Sequence, residues 1–158
     1  MTTISTIREL NSTIAGLIEA NVPDPLARGV TWVFIDYPRK KQERFPLISL
    51  FQTGSSRSEI GLGDQGSRLA INYSIQVWVK ESDTATINGS RYAATLLRDY
   101  IADKIIETLV NKRHYLQGTY GLIDSRIESI ASGPFDEETR LYMKDIRLQV
   151  IMDVLKTE

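Results

Sequence analysis

The sequence predicts an α+β protein: a mixed, mainly antiparallel five-stranded sheet with two helices packed on one face, in the order α-β-β-β-α-β-β. Three observations point there. Residues 68–80 alternate apolar and polar side chains, the period of a strand with one buried face. Two segments, near 4–20 and 90–112, repeat apolar residues at three- and four-residue spacing, the period of a helix. The polar positions of the long strand leave one sheet face mostly wet, which favours antiparallel pairing because parallel sheets tend to be covered on both sides.

The elements follow in order. Ile4, Ile7, Leu10, Ile14, Leu17 and Ile18 form one stripe of the first helix. Thr6 and Glu9 fit a capping box, with Thr3 an equally good cap. Asn21-Val22-Pro23-Asp24-Pro25 stops the helix, since proline has no amide hydrogen and restrains the residue before it. Val30–Tyr37 and Pro46–Gln52 are rich in β-branched and aromatic residues and read as strands. In the third strand, Leu69, Ile71, Tyr73, Ile75, Val77 and Val79 oppose Arg68, Asn72, Ser74, Gln76 and Lys80. After a polar stretch at 81–89, the second helix runs from Ser90 to Lys112. Its inward stripe is Ala94, Leu97, Ile101, Ile105 and Leu109, widened by Leu96, Ala102 and Ile106, and it is the main helix expected on the apolar face. Leu122–Ala131 and a strand ending in Ile146, Leu148, Val150, Met152 and Val154 close the chain, with Gly133-Pro134-Phe135-Asp136 as the turn between them. With no repeat, linker or low-complexity segment, residues 1–158 are expected to form a single domain with a core large enough to need no disulfide or metal.

Composition narrows the function. Lys and Arg total 19 against 20 Asp and Glu, so no overall field draws in nucleic acid or an anionic membrane. The absence of cysteine removes a thiol nucleophile, a disulfide framework and every cysteine-based zinc site. The first residues lack a basic, apolar signal peptide, and no stretch reaches the roughly 18 apolar residues of a membrane span, so a cytoplasmic site of synthesis is expected. The Asn-X-Ser/Thr triplets at Asn11, Asn72 and Asn88 are then chance matches.

Each candidate for chemistry has a simpler explanation. Gly61-Leu62-Gly63-Asp64-Gln65-Gly66 matches the glycine pattern of dinucleotide sites, but those loops follow a buried strand and open a helix, whereas here a polar stretch precedes and a strand follows. A hairpin tip fits better. His114 is the one histidine, placed at a helix end where positive charge is favourable, and no serine lies in an activating context beside it in sequence. Asp136-Glu137-Glu138 and the helical series Asp99, Asp103 and Glu107 read as solvated charge rather than an acid/base pair. The aromatic residues lack the interleaved basic residues of a stacking platform. The expectation is therefore a non-enzyme with no catalytic residue, cofactor or metal.

What remains points to protein contacts. Pro38–Arg44 is a basic loop, either a solvated turn or a binding patch. Trp78 lies on the polar face of the best strand, where an exposed aromatic marks a partner surface unless a helix or loop covers it. Thr53–Glu59 is polar and placed to run back along the long strand as a hairpin arm, with the glycines near its tip, reaching a neighbouring subunit. The candidate interface residues are Arg39, Lys40, Lys41 and Arg44 in the basic loop, Arg57, Glu59 and Asp64 on the arm and its tip, and Trp78.

A first helix, a strand opening with Arg44-Phe45-Pro46-Leu47-Ile48, a glycine-rich loop, a long alternating strand and an alanine- and leucine-rich helix together resemble the tail terminator or tail completion proteins of tailed viruses. The resemblance covers most of the chain and implies a virion structural subunit at the head–tail junction. Its partners would be further copies of itself in a ring, typically a hexamer, the tail tube protein, and the head-side connector or neck protein. It implies no membrane and no specific nucleic acid, although the genome would pass through the ring. The family brings no catalytic residues to carry over. Another head–tail adaptor or neck protein is the neighbouring alternative. A small enzyme or ligand-binding domain, of a different class, predicts a concave pocket beside Gly61–Gly66.

Overall fold

A computed structural model describes residues 7–36, 44–59, 66–111 and 122–155. Helix α1 (Ile7–Asn21) is followed by strands β1 (Val33–Phe34), β2 (Leu47–Glu59), β3 (Gly66–Lys80), β4 (Thr84–Ile87) and β5 (Ser90–Ala93), helix α2 (Thr95–Asn111), and strands β6 (Leu122–Ser132) and β7 (Leu141–Leu155). Five strands form one sheet in the order β1-β2-β3-β7-β6, and β4 and β5 form a separate hairpin. Within the five-stranded sheet β1 and β2 pair in parallel; the remaining pairs are antiparallel. The expected α+β class and mixed five-stranded sheet are present.

The strand period places the core. Ile71, Tyr73, Ile75, Val77 and Val79 on β3, Ile48 and Leu50 on β2, and Ile146, Leu148, Val150 and Met152 on β7 share one face, buried with both helices in a single apolar cluster. From α1 that cluster takes Leu10, Ile14 and Ile18; from α2 it takes Leu97, Ile101, Ala102, Ile105 and Leu109. Burial of this area, at roughly 25 cal/mol per Å² of apolar surface, is the main term opposing chain entropy. The Tyr73 hydroxyl, carried into the cluster by its ring, donates to Asn11 Oδ1 at 2.6 Å and ties β3 to α1.

Several boundaries differ from the expectation, each for a local reason. The residues read as a polar lead and first helical turn instead form the β4–β5 hairpin, turning at Asn88 and Gly89 with φ of 50° and 82°. Ala94, with φ of 51°, then breaks into α2, which starts at Thr95. Leu96, expected to widen the buried stripe, is 62% exposed. Ile4 and the candidate caps Thr3 and Thr6 lie outside the described residues. Of the strand expected at Val30–Tyr37, β1 keeps Val33 and Phe34, the residues that meet a partner on β2. β2 is longer than expected and pairs with β3 as far as Glu59↔Ser67, with a register shift between Gln52 and Gly54. The turn before β7 is centred later than Gly133–Asp136. Arg140 N–H donates to Asp136 O at 2.7 Å, while Asp136 Oδ1 accepts from the amides of Glu138 at 3.1 Å and Thr139 at 3.2 Å.

Candidate interaction surface

The sheet face turned away from the helices carries the alternate residues of each strand, and it divides into two zones. At the end where β2 begins, Phe45, Leu47, Trp78 and Leu141 are buried together, with Phe34 and Met143 packed against them. Beyond them lie polar cross-strand pairs. Asp145 accepts from the Ser74 hydroxyl and from Arg147 Nε at 2.6 Å, and Gln149 Nε2 donates to Asn72 Oδ1 at 3.2 Å. These residues come into register because Ser74↔Arg147 and Gln76↔Asp145 are ladder partners. No single-strand pattern announces the network.

Trp78 is 8% exposed. It is covered by the chain's own apolar cluster rather than by a helix, and its indole N–H donates to Gln76 Oε1 at 3.2 Å. The ladder registers bring this lid together, since they set Leu47, Met143 and Leu141 on the same face as Trp78. Arg44, one residue before that cluster's Phe45, is exposed. Arg57 is exposed on the far half of β2, where its Nε donates to the Ser67 hydroxyl at 2.6 Å, and Glu59 pairs with Ser67 in the ladder. Leu47 pairs with Trp78 and Arg57 with Leu69. The ten-residue step between them is roughly 33 Å along the strand. The structure thus places Arg44 and Trp78 at one end of the sheet and Arg57 and Glu59 at the other. Arg39, Lys40, Lys41 and Asp64 lie outside the described residues.

Of the remaining candidates, Asp99 takes a structural position and others lie outside the described residues. The glycine-rich segment, of which only Gly66 is described, joins two antiparallel strands, not a strand to a helix. A dinucleotide phosphate meets the N-terminus of a helix that opens after such a loop, whereas the described element that follows here is strand β3. His114 lies outside the described residues. Asp99 bonds Lys144 Nζ and Arg98 Nε, each at 3.0 Å; burial works to raise its pKa, but these two cations outweigh it and hold the carboxyl below its ordinary value. Asp24 is similar: burial raises, while the Arg28 guanidinium and the amides of Leu26 and Arg28 lower more, and Arg28 also reaches Pro46 O at 2.6 Å. These pairs clamp loops and helix to sheet. Among the described residues, no group of three or more His, Asp or Glu could hold a metal ion, and no helix is long and apolar enough to cross a membrane. A shallow depression of about 240 Å³ lies between α2 and β6, lined by Leu109, Val110, Ser125, Arg126, Ile127 and Leu148.

No known protein family matches the sequence. No curated protein matches it either. Among solved structures, a chain in the virion of a native gene transfer agent particle has a similar fold, with a TM-score of 0.54 at 9% identity, covering 92% of this chain and 95% of that one. At that identity the likeness concerns the fold.

Proposed function

We propose that the chain is a virion structural protein, acting as a single domain over residues 1–158, that forms a ring on the end of a tail tube, ends tail growth and supplies the joint to the head-side connector. The observation that carries this reading is the end-to-end likeness to a virion chain, 92% of this chain against 95% of that one, which leaves little of either fold unaccounted for. It agrees with the tail-terminator resemblance of the sequence, reached independently from its strand and loop pattern. The work is done by repeated contacts with other proteins, not by bond chemistry. A hexameric ring is the expected assembly, and its function needs no cofactor.

The test is to remove the protein from particle assembly and examine the products. A terminator's loss yields tubes of uncontrolled length without heads. Tubes of normal length that fail only to join heads would instead assign the protein to the neck, and particles of normal form would overturn both. The isolated subunit should bind duplex DNA weakly, given its net charge of -1; a salt-sensitive, submicromolar complex would contradict this.

A further inference from the structure

At each edge of the described sheet, most of the edge strand meets no further described strand. On one side, β6 pairs with β7 and with no other described strand. On the other, β1 covers β2 only at Ile48 and Ser49, so from Gln52 to Glu59 the second edge of β2 has no described partner strand. An open edge presents a row of backbone N–H and C=O groups, a template for another strand.

Direction decides what fits. β2 runs antiparallel to β3, β3 to β7 and β7 to β6, so β2 and β6 point in opposite directions. Copies set side by side by rotation about an axis along the strands therefore bring β6 of one against β2 of the next as an antiparallel pair. We propose that the occupant of each edge is a second copy of this chain: β6 of one subunit adds to Gln52–Glu59 of its neighbour, and the sheet runs on from subunit to subunit. This rests on the ring reading and says how the ring closes.

Side chains on the two edges suit that pairing. Ser55, Ser56 and Ser58 on β2 and Ser129, Ala131 and Ser132 on β6 are small and exposed, so two strands can approach to the usual spacing of about 4.8 Å. Ser56 pairs with Ala70 and Ser129 with Arg147, which puts both on the face away from the helices. Setting Ser56 opposite Ser129 in an antiparallel register brings Arg57 opposite Glu128. Both are exposed, and they carry opposite charge. The same register sets Ser55 beside Ile130, which is 46% exposed in the single chain. Register shifts at Gln52/Gly54 and Ile127/Ser129 deform both edges, so only a strand with a matching irregularity fits well. Indiscriminate pairing is thereby discouraged. The competing arrangement joins two β6 edges about a twofold axis, closing as a dimer and leaving β2 open.

The chain has no cysteine, so introduced thiols report contacts without background. In assembled protein carrying both Ser56→Cys and Ser129→Cys, mild oxidation should give a ladder of covalent multimers rising to the ring size, while either single variant gives none. Dimers from Ser129→Cys alone would support the twofold arrangement and overturn the proposal. Rings that form yet yield no ladder would overturn it while leaving the ring reading intact, and a protein that is monomeric both alone and on tails would overturn both. As a second readout, Glu128→Arg should weaken assembly at least tenfold without changing the melting temperature, and adding Arg57→Glu in the same chain should restore it. Assembly indifferent to both changes contradicts the assigned register.

Discussion

At the residue scale, a side chain that looks available for function can instead be committed to holding the chain together. Trp78 is the clearest case: its strand position alone reads as exposed, and only the pairing of β2, β3 and β7 shows that Leu47, Leu141 and Phe45 close over it. Trp78→Ala should therefore cost about 3 kcal/mol or more in denaturant unfolding, the usual scale for a deleted core aromatic; a surface residue would leave the midpoint unmoved. Tyr73 is fully buried, and burial raises its pKa far above the ordinary value of 10.0. A raised native pKa means that the folded state holds the proton longer than the unfolded one, so this stability is complete below about pH 10 and is lost as pH rises beyond it. Tyr73→Phe should lower stability at neutral pH by about 1 kcal/mol through loss of the bond to Asn11. It should also flatten the fall in stability above about pH 10, as read by unfolding curves across that range. Asp99 has the opposite sign: its lowered pKa contributes stability above the ordinary carboxylate value, lost as pH falls through the native one. Asp99→Asn should be less stable than the parent at neutral pH, with the gap closing in acid.

At the element scale, strong period signals translated directly into structure while short elements did not. The stripe of α1 and the alternation of β3 name the buried residues because each face of a helix or strand has a fixed repeat. The β4–β5 hairpin was hidden because its four-residue strands are too short to show a period, although Asn88-Gly89 is a strong local signal for a tight hairpin turn. Gly89 sits at a φ of 82°, where a Cβ is strained. Gly89→Ala should therefore cost about 1 kcal/mol in thermal or denaturant unfolding. The helix content should stay unchanged, because α2 begins only at Thr95, beyond the hairpin's second strand. The far half of β2 was legible as one side of a hairpin from its polar character and its place before the glycines, yet its breadth was not: β7 pairs with β3 as far as Leu155↔Gly66, so this half of the hairpin is backed by a third strand. Replacing residues 55–66 with a short Gly-Ser turn should therefore leave a folded protein that no longer assembles on tails. Normal assembly by that variant, checked after its circular dichroism and melting match the parent's, would remove the arm from the interface.

At the scale of the whole molecule, the two described helices cover one face of the sheet, the chain's own apolar cluster closes part of the other, and the two edge strands meet no further described strand over most of their length. The class of fold could be read from a single sequence because burial on one face dictates both the strand alternation and the helix stripes that cover it. The candidate surface on the other sheet face could not, since it depends on cross-strand register: Ser74, Asp145 and Arg147 are brought together only by the β3–β7 ladder. The most direct test is to add the purified protein to growing tail tubes and image them by electron microscopy, with the mass of the bound protein measured on the same sample. A terminator should appear as a closed ring at one end of each tube, several copies strong, beyond which the tube does not extend; tubes that lengthen unchanged, with the protein remaining a free monomer, would contradict that role.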